Sequence, residues 1–359
     1  MAEKGIKKRK SEHLRIVAER EVAHSGTTLL EQVHLLHDAL PELDWDSLDT
    51  GCDFFGKRLD APLMVTSMTG GSELAGRLNR DLASVCAKFG IAFAVGSQRI
   101  MLDHPETTAD FAVREVVGDG VLLGNIGAVQ LLELPAEQIA GLVEAIDADG
   151  LCVHLNPAQE LVQVEGNRNF KGILEALDRL VDRLDGRVLV KETGAGLSPR
   201  TLEKLAPVGV PYIDVSGAGG TSWTRVESFR EINESLQHTG KVFSDWGIPT
   251  AHGIIAARQI MGETVTVIAS GGIENGLDVA RALALGANMA GFARSVLLPY
   301  LKGGVDAAEK YVRDMIDELK TAMLLTGSQS ISDLRIAPKV LGRDLKSWLA
   351  DNGWEDERM

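Results

Sequence analysis

The chain has 359 residues, 45% of them hydrophobic and 25% charged. That is too long for a small disulfide-stapled module and suits one large domain or two ordinary ones. Its 37 basic and 51 acidic residues leave a net charge of −14, which argues against a general nucleic-acid binder, because such a protein needs a positive field to displace phosphate counterions.

Five of the first ten residues are basic: Lys4, Lys7, Lys8, Arg9 and Lys10. A lone basic run usually reads as a solvated tail. Here Ser11-Glu12-His13-Leu14 follows at once and leads into a helix-like segment ending near Ser25-Gly26. This N-terminus has no apolar stretch of the signal-peptide kind, and no apolar run in the chain reaches the roughly 18 residues of a membrane helix. Cys52, Cys86 and Cys152 are scattered and show no metal spacing. They read as thiols of a reduced, cytoplasmic protein with no membrane partner.

From about residue 60 a rhythm sets in. Short apolar, β-branched runs recur at 62–66, 91–95, 121–124, 150–154, 187–191, 211–215, 265–269 and 288–292. Each is followed by Gly, Ser or Asn and then by a helical pattern. Apolar strands alternating with helices predict a parallel sheet covered on both faces. Eight such units match a single-domain (β/α)8 barrel, a TIM barrel, of about 250 residues. An open doubly wound sheet would usually carry G-x-G-x-x-G after its first strand, and Thr66-Ser67-Met68-Thr69-Gly70-Gly71 is not that pattern.

Helices are predicted over 74–89, stopping at Gly90, over 135–146 with Pro135 in the first turn, and over 276–285, capped by Gly286. The widest gap between runs requires an insertion after the sixth strand, roughly 217–246, and long loops inside compact domains are usually functional. A closing helix is predicted over 305–325. The division is then an N-terminal basic and helical lid segment (1–60), a barrel (61–340) and a polar C-terminal tail (341–359).

In such a barrel the chemistry lies where the strands end. Ser270-Gly271-Gly272 after strand seven and Ala293-Arg294 after strand eight form the usual phosphate cradle of backbone N–H groups and a helix N-terminus. Ser216-Gly217-Ala218-Gly219-Gly220 reinforces a phosphate-bearing ligand over a pair of ordinary tight turns. Lys191 ends strand five. It is a Schiff-base lysine, a donor to an electron-rich cofactor ring, or a partner of Glu192, the last being disfavoured because neighbouring strand residues face opposite ways. His154, Asn156, Gln159 and Glu160 gather on one loop, a set suited to Mg2+ held mainly by a substrate's phosphates.

Together these strand ends resemble the type 2, FMN-dependent isopentenyl-diphosphate delta-isomerase family. The matching pieces begin with Arg9-Lys10 through His13-Leu14, Ser67-Met68-Thr69-Gly70-Gly71, Gly96-Ser97-Gln98-Arg99 and Asn125-Ile126-Gly127. They continue with His154-Leu155-Asn156-Pro157-Ala158-Gln159-Glu160, Gln163-Val164-Glu165-Gly166-Asn167-Arg168 and Lys191-Glu192. Ser216-Gly217-Ala218-Gly219-Gly220-Thr221-Ser222-Trp223, Asp245-Trp246-Gly247 and Ser270-Gly271-Gly272-Ile273 complete them. The pieces at 154–160 and 216–223 are the specific ones, and the match runs from about residue 9 to 340.

The resemblance implies interconversion of isopentenyl and dimethylallyl diphosphates in isoprenoid biosynthesis, with Mg2+ and with FMN kept reduced by NADPH or NADH. It implies FMN contacts at Thr66, Ser67, Met68, Thr69, Ser97, Asn125, Lys191, Ser216 and Thr221, with the phosphate on Gly271, Gly272, Ile273, Ala293 and Arg294. The diphosphate would meet Arg9, Lys10, His13, Ser97, Gln98, Arg99, His154 and Asn156. Gln159 and Lys191 would be catalytic, and Glu160 would reach Mg2+. The basic N-terminus becomes a lid, and a homo-oligomer is expected. Two rivals fit less well. A 2-hydroxy-acid oxidase needs a histidine and an arginine after strand six, and residues 216–221 hold neither. A phosphate-ligand sensor on a retired barrel would not require Lys191, Gln159 and Glu160 together.

Overall fold

Successive side chains of a strand point to opposite faces, and that alternation sorts the apolar runs into two cores. In the computed structural model, which describes residues 12–68, 73–230 and 233–354, Leu63 and Val65 lie in the core facing the helices, whereas Met64 lies in a separate inner cluster. Val188 and Val190 part from Leu189 in the same way. The eight runs form strands β1 (Leu63–Val65), β2 (Ala92–Ala94), β3 (Leu122–Gly127), β4 (Gly150–His154), β5 (Val188–Lys191), β6 (Tyr212–Asp214), β7 (Thr266–Ala269) and β8 (Met289–Phe292). They pair in sequence order, all parallel, and β8 returns to β1, closing a barrel. The (β/α)8 fold read from the sequence is the fold observed.

The alternation also aims the chemistry. Residues two beyond an inward apolar side chain face inward at the barrel's mouth. Thr66 follows Met64, Asn125 follows Leu123, His154 follows Cys152, Lys191 follows Leu189 and Ser270 follows Ile268. Register puts His154 opposite Lys191 and Lys191 opposite Asp214, so three polar side chains from consecutive strands share one level.

The helices meet their expected places within a residue or two: Glu73–Lys88, Ala136–Glu144 and Gly276–Ala284. Gly90 and Gly286 take positive φ values of 58° and 107°, the left-handed conformation that ends a helix cheaply only in glycine. The insertion after β6 carries helices Trp223–Ser228 and Glu234–Val242 before Thr250–Met261 resumes the outer ring. The closing helix begins earlier than expected, at Arg294, and runs to Leu325 with a break at Gly303 and Gly304. Among the described residues no helix is long and apolar enough to cross a membrane.

Residues 12–60 divide into parts that pack in different places. Residues 12–19 are helical, and the segment after them runs along the mouth, where Ser222 N–H donates to Val22 O and His24 N–H to Gly220 O. Beyond it, Val33–Leu35 pairs antiparallel with Lys339–Leu341. The hairpin Cys52–Phe54 and Lys57–Leu59 closes the opposite end, with Phe54 and Leu59 in the inner cluster and Phe55 stacked on Tyr212 at 4.0 Å. The described part of the C-terminal tail, up to residue 354, packs on the barrel as well. Helix Arg343–Asp351 buries Leu345 and Leu349 and stacks Trp348 on His252.

Candidate active site

One cavity of about 320 Å3 opens at the C-terminal ends of the strands, within the ~300–1,000 Å3 of small-molecule sites. Three groups of polar residues line it.

The floor is built from strand ends. The Asn125 side-chain amide donates to Ser67 Oγ at 2.8 Å, and its Oδ1 accepts from His154 Nδ1 at 2.9 Å. That pairing fixes the imidazole ring with its proton on Nδ1. Lys191 donates to Glu192 O at 2.5 Å and to Ser216 Oγ at 3.0 Å. The Glu192 carboxylate turns away and accepts the N–H groups of Thr193, Gly194 and Ala195, so the Lys191–Glu192 side-chain pair does not form. The carboxylate near Lys191 is instead Asp214, with its Oδ2 at 3.9 Å.

One end of the cavity is a turn and a helix N-terminus. Gly271 and Gly272 have φ values of 98° and 78°, and Gly220 passes so close that a Cβ there would lie 2.4 Å from Gly272 N. Only glycine allows these backbones to meet. Ile273, Ala293 and Arg294 line the same end. Ala293 caps the helix from Arg294 without a side-chain hydrogen bond, which leaves first-turn N–H groups for an anion. Thr66, Met68 and Thr221 complete this half.

The third group follows β4. Pro157 opens helix Pro157–Val162, and the Asn156 amide donates to Gln159 Oε1 and Glu160 Oε1, both at 3.2 Å. Glu160 Oε2 accepts Asn167 N–H at 2.6 Å. Ser97 and Arg99 line the cavity from the loop after β2. Across the mouth, His13 from the helix at 12–19 meets Glu227 Oε1 at 2.8 Å and packs edge-on against Trp223.

The structure thus brings together nearly all the residues singled out in the sequence. Gln98 departs from that reading. It is fully buried behind the cavity, donates to Leu142 O and accepts Asn125 N–H, so it braces β3 and does not face a ligand. Arg9, Lys10 and Thr69 lie outside the described residues.

Three residues escaped the sequence reading. Asp214 is the last residue of β6 and the register partner of Lys191; an acid at an inward-facing strand position was the available signal. Glu227 lies on the insertion, fully buried, and accepts from Gln163 at 2.6 Å, from Arg230 at 2.8 Å and from Gln159 at 3.4 Å. Burial alone would raise its pKa, but hydrogen bonds and charge from His13 and Arg230 outweigh that and hold it down at about 2. The spacing of Glu227 and Arg230 marks a helical pair; nothing local predicts the contact with His13. Gln163, buried beside Glu227, was quoted as part of a motif but given no role.

Comparison with known proteins follows the same lines. The model of the FMN-dependent dehydrogenase family matches residues 154–341. The isopentenyl-diphosphate delta-isomerase of Pyrococcus furiosus is 40% identical over 349 residues, covering 95% of this chain and 88% of that protein. The one from Synechococcus sp. is 44% identical over 337 residues, covering 93% and 96%. The chain belongs to the FMN-dependent isopentenyl-diphosphate delta-isomerase family. The protein is accordingly an isomerase. Solved structures show the shared barrel alone. A lactate oxidase of Pediococcus acidilactici superposes with a TM-score of 0.68 at 15% identity over 95% of this chain and 94% of that one. A mandelate oxidase does so at 0.62 and 18%, over 92% and 94%.

The residues present fit FMN. The glycine turn and the helix N-terminus suit its phosphate, and Lys191 at the floor can donate to an electron-rich ring.

Proposed function

We propose that the protein interconverts isopentenyl diphosphate and dimethylallyl diphosphate without net redox change. What supports this reading above all is that the linked amides and carboxylate of Asn156, Gln159 and Glu160 line the same cavity as Lys191 and the Gly271–Gly272 turn.

Under this reading Arg99, His154 and Asn156 bind the diphosphate, joined by Ser97 and by Arg9 and Lys10 of the N-terminal segment. Glu160 would supply a carboxylate to Mg2+, which would neutralise the charge of the diphosphate. His13, docked on Glu227, holds the N-terminal helix over the mouth and keeps water from a cationic transition state. Gln159 lies between the diphosphate site and Glu227 and positions the allylic carbons. Lys191 sets the charge beneath the cofactor ring. When bound, FMN kept reduced by NADPH or NADH would supply the group that exchanges a proton with the alkene. A homo-oligomeric, cytoplasmic enzyme completes the reading.

The test is anaerobic incubation with isopentenyl diphosphate, FMN, Mg2+ and a small amount of NADPH. The expected result is many molecules of dimethylallyl diphosphate per NADPH consumed. One product per NADPH, or none with flavin bound, overturns the substrate assignment.

A further inference from the structure

Asp214 is 0% exposed, and no step above uses it. Its surroundings form a connected chain. Ser270 Oγ donates to Asp214 Oδ1 at 2.6 Å, Ser216 Oγ and Ser270 Oγ are 2.9 Å apart, and Lys191 Nζ donates to Ser216 Oγ at 3.0 Å. Each serine hydroxyl has one proton. With that of Ser270 committed to the carboxylate, that of Ser216 must go to Ser270, and the Ser216 oxygen must accept from Lys191. The chain therefore runs one way, from ammonium to carboxylate, across the ends of β5, β6 and β7, and such chains polarise along their length.

Two further observations favour a built device over incidental packing. Ser216 has φ +42°, in the left-handed region disfavoured for a residue with a side chain. Its N–H also donates to Asp214 Oδ1, at 3.1 Å. Asp214 Oδ2 is buried without a hydrogen-bond partner, 3.9 Å from the Lys191 ammonium. A proton placed on Oδ2 would have no acceptor; an ionised Oδ2 faces a cation. Burial raises the Asp214 carboxyl, and the ammonium and the serine bonds oppose that rise.

We propose that Asp214 is the positioning residue of Lys191: through Ser270 and Ser216 it fixes the ammonium at the cavity floor, keeps it charged, and thereby sets the reduction potential of the flavin held above it. The proposal rests on the FMN reading of the site. The other groups around Lys191 do not replace Asp214. Glu192 is turned onto backbone N–H groups, Cys152 on β4 is pushed up to about 12 by burial, and His154 on β4 is engaged with Asn125.

The experiment measures the midpoint potential of bound FMN against pH, without substrate, in wild type, Asp214→Asn, Lys191→Met and the double variant. A failed substrate assignment leaves this measurement intact. Without Asp214 the buried ammonium loses the opposite charge that favours its charged form. The potential of Asp214→Asn should then depart from wild type by an amount that changes with pH, and this dependence should vanish in the double variant, which lacks the ammonium. A tenfold change in the relative affinity for reduced and oxidised flavin, about 30 mV for two electrons, is the expected scale. Ser270→Ala should give the same pH-dependent departure on a smaller scale, and Ser270→Thr should restore the wild-type potential, which covers the case in which Asp214→Asn does not fold. A potential that rises equally at every pH, or does not move in any of these variants, overturns the proposal.

Discussion

At the residue scale, Gln159 and Glu160 are neighbours in sequence that share one donor, the Asn156 amide, yet their other contacts differ. Gln159 also reaches Glu227, whereas Glu160 is tied back by Asn167. Shortening Gln159 to Asn withdraws its amide by one methylene while leaving the flavin half of the cavity intact. Turnover should fall by roughly 100-fold or more, as when a positioned polar group leaves a transition state, with flavin binding unchanged; near-normal turnover removes Gln159 from the mechanism. Glu160→Gln keeps the shape but removes the charge that a hard cation needs. Its signature should be a raised Mg2+ requirement in a titration of activity, and an unchanged titration sinks that role.

At the scale of elements, the N-terminal helix is held to the insertion after β6 by two adjacent residues, Glu12 on Arg230 at 3.2 Å and His13 on Glu227 at 2.8 Å. The stability at stake depends on pH through Glu227. Its pKa of about 2 in the folded chain lies below the ordinary 4.5. The ionised group therefore contributes fully above 4.5, and its contribution is lost as the pH falls from there through about 2. The difference corresponds to roughly 3 kcal/mol. Denaturant unfolding of wild type and Glu227→Gln should differ by an amount of that order at pH 6, and the gap should narrow by pH 3; equal stability at pH 6 means that Glu227 is not held down by its partners. This contact also shows where sequence reading ends. His13 and Glu227 stand 214 residues apart, and no pattern at either position reports the other. By contrast, Thr66, Asn125, His154, Lys191 and Ser270 could be placed on the cavity wall because each ends an apolar strand. Asp214 obeyed the same rule, but in the sequence the apolar run continues past it to Val215, and Gln98 was misread because a loop residue beside Ser97 and Arg99 gives no sign of which way its side chain turns.

At the scale of the molecule, the barrel separates function from stability along its axis. The eight-strand rhythm was legible because each strand is apolar over most of its length, with polar residues gathered mainly toward its C-terminal end. The plug was not, since its strands are only three residues long, Cys52–Phe54 and Lys57–Leu59, and mix charged with apolar residues. Phe54 is 1% exposed and packs edge-on to Phe55 and Tyr212 at the strands' N-terminal ends, at the opposite end of the barrel from Lys191 and Glu160. Phe54→Ala should open a cavity in the inner cluster at a cost of roughly 3–5 kcal/mol, read as a lower denaturant midpoint. Since no atom of the mouth is touched, kcat and KM of the folded fraction should stay within about twofold of wild type. A loss of kcat matching the loss of stability would instead mean that strain introduced at the plug travels the length of the barrel to Lys191 at the cavity floor and the buried Asp214 behind it.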